Sequence, residues 1–149
     1  MPEPASADPS SERSEDADQV EVSVPLRTEY VATLRTVAAS LGADAGFSID
    51  EIDDLRLAIS EVVSSLIDSK VSGDDRIVAS FDLRDAGVAV GITTRRGELQ
   101  IELDDLASSI LQSVVDEYEV SGAHVRLLKL ASEAVGVTEA DDERVAHGA

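Results

Sequence analysis

Residues able to do covalent or metal chemistry are few and scattered along this chain. It has no cysteine, so disulfides, thiolate zinc sites and thiol nucleophiles are all excluded. Its two histidines, His124 and His147, stand far apart, and no metal site follows from them. His124 falls in a segment that reads as a surface turn of a hairpin. Ser60, Ser64 and Ser65 lie close together, but no histidine accompanies them. They read as packing and back-bonding hydroxyls of a helix rather than as nucleophiles. What remains is carboxylate. Glu61 stands four residues before Ser65, a spacing that puts two side chains on one helix face. On spacing alone such a glutamate is a solvated helix charge, and only its surroundings can give it a role.

The elements that would position these residues follow from the apolar periodicity. Glu21 to Pro25 reads as a short strand with Val22 and Val24 on one face. Tyr30, Val31, Leu34, Val37, Ala38 and Leu41 follow helical spacing, with Arg35 on the opposite side, and Gly42 and Gly46 bracket the exit. Ser48-Ile49-Asp50-Glu51 has the form of a capping box, and it opens the longest helix, which runs to about Lys70. Beyond Gly73 the period falls to two. Ile77 to Leu83 and Val88 to Ile92 form a hairpin turned at Asp85-Ala86-Gly87. Leu99, Ile101 and Leu103 alternate briefly, as an extra edge strand would. Leu106 to Val115 returns to a helical face, and Tyr118–Val120 and Val125–Leu130 close the chain as a last hairpin turned at Ser121-Gly122. The order β-α-α-β-β-α-β-β predicts an α+β sandwich, one mixed sheet covered on one face by helices.

The long helix carries more than its period. The run from Asp53 through Leu55, Ile59, Ser60, Glu61, Val62 and Ser65 to Ile67 resembles the N-box helix of the bacterial anti-sigma-factor serine/threonine kinases, members of the histidine-kinase-like ATPase superfamily. The Tyr30-x-x-x-Leu34-Arg35 helix, the Phe47-Ser48 pair and the Asp116–Val120 passage are similar to that family too, so the resemblance spans roughly Val20 to Ala131. It implies a two-layer α/β sandwich that binds ATP and Mg²⁺ between helices and sheet. It also implies capture of a sigma factor, and phosphorylation of an antagonist protein that frees that factor. Family members commonly pair as homodimers.

The family's three nucleotide motifs can be followed residue by residue. In the first, Glu-x-x-x-Asn, Glu61 matches as the catalytic carboxylate, while Ser65 stands where an Asn oxygen would hold Mg²⁺. In the second, Asp-x-Gly, Thr94 replaces the Asp that accepts from adenine, and Arg96 replaces the Gly. Hydrogen bonds to charged groups are worth about 1.5–3 kcal/mol against roughly 1 for neutral ones, so Thr for Asp implies adenine recognition weaker by about tenfold. Arg96 adds bulk where backbone should approach the nucleotide; its alternative reading is a solvated turn arginine. The third motif is a glycine-rich lid whose amides cradle phosphate. At its place stand Ala107-Ser108-Ser109 without glycine, behind Asp104 and Asp105, which read as helix-capping acids. The resemblance thus implies a retained fold with eroded ATP chemistry.

Charge bounds the partners. The 149 residues carry 31 acids against 12 bases, a net charge of −19. With only four aromatic residues and no basic stretch, direct nucleic-acid binding is excluded. No apolar run approaches the roughly 18 residues of a membrane span, and no signal peptide opens the chain, which reads as cytoplasmic. Six acids and one base give Met1–Asp18 a charge of −5, four acids and one base give Gly136–Ala149 −3, and −11 remains on residues 19–135. Both flanks read as disordered acidic arms around one domain. The resemblance implies two functions, an anti-sigma-factor-like regulator that sequesters a sigma factor or an active kinase of the same family, and charge alone suggests a third, an acidic decoy of basic DNA-binding surfaces.

Overall fold

The computed structural model describes residues 18–69, 74–97 and 100–132. The inferred acidic arms, apart from Asp18, lie outside the described residues, as do Lys70 to Gly73 and Leu99. Strand β1 (Gln19–Pro25) leads through a 3-10 turn (Thr28–Tyr30) into helix α1 (Val31–Asp44) and then the long helix α2 (Ile49–Ser69). The hairpin β2 (Arg76–Arg84) and β3 (Gly87–Thr94) follows, then α3 (Asp105–Val114) and a second hairpin, β4 (Glu117–Ser121) and β5 (His124–Leu130).

The α1–α2 corner is built by its own sequence. Gly46 adopts φ +89°, a left-handed conformation that suits glycine. The Gly46 amide donates to the Ala43 carbonyl (3.1 Å) and the Phe47 amide to the Gly42 carbonyl (3.0 Å), the paired bonds of a Schellman cap. Phe47 then packs over Gly42, where a Cβ would come within 2.9 Å of the ring. One residue later the capping box forms as expected. The Glu51 carboxylate accepts from the Ser48 amide (2.8 Å), and the Ser48 hydroxyl accepts from the Glu51 amide (3.1 Å).

The sheet has the order β1-β2-β3-β5-β4 and every neighbouring pair is antiparallel, which corrects the expected mixed sheet. The β3-α3-β4 crossover does set β4 parallel to β3, as such a connection normally does. However, β5 folds back between them and pairs antiparallel with both. Ile101 and Leu103 form no strand either: the Ile101 amide donates to Gly122 O (2.9 Å), and the Ile101 side chain is buried. Their alternation reflects burial without a strand partner.

One face of the sheet, with Val24, Ile77, Phe81, Val90, Ile92, Val125 and Leu127, meets Leu34 and Ala38 of α1, Leu55, Ile59, Val62 and Leu66 of α2 and Leu111 of α3 in a single core. The opposite face, with Ser23, Arg76, Ser80, Gly91, Thr93 and Arg126, has no helix over it among the described residues. Arg35 is half-buried rather than facing away from the core, and its Nε is enclosed without a hydrogen-bond partner.

Candidate functional site

Helix α2 presents Asp54, Glu61 and Ser65 along nearly one line, since 3.6 residues per turn bring positions seven and eleven apart within about 20° of the first. The lower end of this line is anchored. Lys129, on the core face of β5, donates to Asp54 Oδ2 (3.3 Å) and to the Val114 carbonyl at the end of α3 (2.8 Å). The Glu61–Ser65 edge therefore runs up the side of α2 turned toward α3. Both side chains are half-buried, and among the described residues nothing hydrogen-bonds to the Glu61 carboxylate. Ser60 is occupied as a back-bonding hydroxyl, donating to the Arg56 carbonyl (3.0 Å).

Thr94 ends β3 on the same core face and is 2% exposed, the one polar residue in the buried set. Its hydroxyl accepts from the Gly97 amide (3.1 Å), closing the turn that follows the strand. Helix α2 packs against β3, so Thr94 lies on the side of the sheet that α2 covers, while Glu61 and Ser65 stand on the flank of the helix. Arg96 does not join them. It is exposed on the turn, its amide donates to Asp75 Oδ1 (3.2 Å), and it lines a cleft with Arg27, Arg76 and Arg95.

At the lid position the chain is helix, not loop. Asp104 is the N-cap of α3, and its carboxylate accepts from the Ala107 amide (2.8 Å) while its carbonyl accepts from the Ser108 amide (2.9 Å). One of the amides that would cradle a phosphate, that of Ala107, is met by the chain's own carboxylate, and Asp105 adds a second negative charge in the first turn. Sequence spacing had placed both acids as caps.

Two contacts escaped the sequence. Glu51, beyond its capping box, accepts from the Ser132 amide (2.9 Å) and hydroxyl (2.7 Å), which ties the end of β5 to the start of α2. Burial opposes the charge of this carboxylate, but the bonds from Ser132 and Ser48 outweigh it and lower its pKa from 4.5 to about 2. Lys129 is the other case, its alternating position giving no hint of a buried amine. Among the described residues no cluster of three His, Cys, Asp or Glu could hold a metal ion, and no helix is long and apolar enough to cross a membrane.

Comparison with known proteins bears on this arrangement. No protein-family model matches the chain. A Bacillus cereus protein named serine-protein kinase RsbW is 26% identical over 106 residues, covering 70% of this chain and 61% of that protein. A Bacillus pumilus protein of the same name is 27% identical over 142 residues, covering 78% and 88%. The chain is similar in sequence to these serine-protein kinases. The fold of this RsbW-like chain agrees with the solved RsbU and RsbW domains of a Mycobacterium tuberculosis protein, with a TM-score of 0.55 at 15% identity over 76% of this chain and 32% of that one. The RsbW-like chain spans about three fifths of the length of the Bacillus cereus relative.

Proposed function

We propose that the chain is an anti-sigma-factor-like regulator that binds and sequesters a sigma factor and is countered by an antagonist protein, with ATP and Mg²⁺ bound weakly or not at all. The observation that carries this reading is the α3 N-terminus, where the Asp104 carboxylate takes the Ala107 amide and sets a negative charge where a nucleotide's phosphates would lie. Thr94 supports it, because its hydroxyl already accepts from Gly97 and carries no charge for an adenine amino group. Ser65 reaches less far than an Asn carbonyl toward a metal, and Arg96 lines the cleft with Arg27, Arg76 and Arg95. These residues do not fit a Mg-nucleotide. What the chain keeps is the fold and its outer surfaces, on which capture of a protein partner depends. A cytoplasmic location and pairing of two copies belong to the same reading.

The test has two arms. Mg-ATP at about millimolar concentration should leave the Tm unchanged, since a ligand stabilises only when it exceeds its Kd. A pull-down from the native host, with and without Mg-ATP, should recover a sigma factor or an antagonist domain in both conditions. Recovery of neither would refute the proposal. One observation favours a second reading, an active serine/threonine kinase: the Glu61 carboxylate is half-buried beside α3 and free of hydrogen bonds among the described residues. A rise in Tm with Mg-ATP, and phosphate transfer to a serine of the antagonist that Glu61→Gln abolishes, would establish that reading instead.

A further inference from the structure

At the end of the sheet where β1 stops, β2 begins and β3 stops, four arginines converge. Arg27 follows β1, Arg76 opens β2, and Arg95 and Arg96 follow β3; with Pro25 and Leu26 they line a cleft of about 540 Å³. These are four of the chain's ten arginines, gathered in a molecule of charge −19. We propose that this cleft is a binding site for the phosphate or pyrophosphate group of a small soluble anion.

The charges there are only partly offset, since Asp74 and Asp75 line the cleft against four guanidinium groups. Among the described residues, ion pairs engage Arg56, Arg84 and Lys129, and none engages an arginine of the cleft. Asp75 lines the cleft but is committed elsewhere: its Oδ1 accepts from the amides of Arg76 (2.7 Å) and Arg96 (3.2 Å). It shapes the backbone on which the arginines stand rather than pairing with their guanidinium groups.

Two of the forks are held in place by a neutral partner. The Ser23 hydroxyl accepts from Arg76 Nε (2.8 Å) and Arg95 Nη2 (3.3 Å), and the Ser23 carbonyl accepts from Arg76 Nη2 (3.0 Å). The Arg95 amide also donates to the Arg76 carbonyl (2.8 Å). Fixing these groups on uncharged acceptors orders them without spending their charge. Planar guanidinium forks in that state suit the oxygens of a phosphate. Arg27 is steadied over the Tyr30 ring at 5.8 Å.

Size and field select the ligand. The cleft volume falls within the roughly 300–1,000 Å³ of small-molecule sites, and Pro25 and Leu26 give it an apolar wall. A nucleic acid would extend beyond the cleft across the acidic remainder of the surface. A compact anion seated within it lies inside one Debye length, about 8 Å, of the four arginines and is screened from most of the rest. Of the family's nucleotide positions only Arg96 lines this cleft, while Glu61, Ser65 and Thr94 do not, so binding here is told apart from binding there by which residues respond.

The experiment uses the full chain, titrated with inorganic pyrophosphate and with inorganic phosphate. It is followed by calorimetry and by backbone amide NMR, at ionic strength held constant with potassium chloride. Saturable binding is expected, tighter for pyrophosphate, with shifts at the amides of Ser23, Arg76, Arg95 and Arg96. Arg95→Gln with Arg96→Gln should weaken it at least about tenfold, and Lys at both positions should weaken it less. Arg27→Gln, at an exposed position after β1, provides a second variant if the double substitution does not fold. Heat no larger than the chloride control, shifts confined to Glu61, Ser65 and Thr94, or unchanged affinity in the folded variants would each overturn the proposal.

Discussion

Glu51 serves two neighbours with one carboxylate. One oxygen closes the capping box of α2 through the Ser48 amide, and the other receives the amide and hydroxyl of Ser132. Its pKa is lowered to about 2 from 4.5. Its contribution to stability is therefore fully present above pH 4.5 and is lost as the pH falls toward 2. The group is only partly buried, so screening by solvent keeps that contribution modest. Glu51→Gln should lower stability at pH 7, and the difference from the parent should shrink by pH 2.5 in urea denaturation curves taken at both values. An undiminished difference at pH 2.5 would show that the charge of Glu51 is irrelevant. The capping half of this arrangement was legible, because Ser-x-x-Glu is local chemistry. The Ser132 half was not, because it joins residues 81 positions apart and no local pattern encodes that meeting. The same divide runs through the candidate site. Glu61, Ser65 and Thr94 were singled out by resemblance to the family's motifs, whereas the Gly97 amide on the Thr94 hydroxyl and the Lys129 amine between α2 and α3 emerge only with the fold.

At the level of elements, helices and hairpins were readable wherever one face is buried, because burial writes its period into the sequence. Helix α2 has Leu55, Ala58, Ile59, Val62, Val63 and Leu66 on its buried side, and β2 alternates without a break from Ile77 to Phe81. Strand neighbours were not readable, since the intercalation of β5 between β3 and β4 is decided by long-range packing that period alone does not report. Two glycines separate local from tertiary constraint. Gly46 needs its left-handed backbone, with nothing near its missing Cβ, so Gly46→Ala should cost about 1 kcal/mol through conformation alone. Gly87 has no such φ, but a Cβ there would collide with the Lys129 carbonyl of β5. Gly87→Ala should be the more damaging change, because β3 and β5 must part to accept it. Urea denaturation of the two variants side by side tests the ranking, and equal losses would mean that the β3–β5 contact yields easily.

For the molecule as a whole, the charge of −19 is unevenly arranged: acidic flanks, an acidic body, and an arginine-lined cleft where β1, β2 and β3 meet their loops. A protein of this kind repels nucleic acid at long range and attracts the basic surfaces of proteins that read it. Attraction by charge and recognition by shape differ in how they respond to salt. Purely electrostatic capture of a basic surface weakens steeply as salt rises, because the Debye length shrinks from about 10 Å at 0.1 M to about 3 Å at 1 M. A shaped interface with an apolar centre loses chiefly its association rate over the same range, since steering is screened while the buried contacts that set dissociation are not. The anti-sigma-factor reading requires the second behaviour. Once a sigma-factor partner is in hand, its association and dissociation rates with the full chain should be measured from about 0.1 to 0.5 M salt, a range that shortens the Debye length by roughly half. The association rate should fall severalfold while the dissociation rate stays nearly constant. If the dissociation rate instead climbs with salt as steeply as association falls, the chain is acting as an acidic decoy, and the family fold contributes a scaffold for charge rather than a recognition surface.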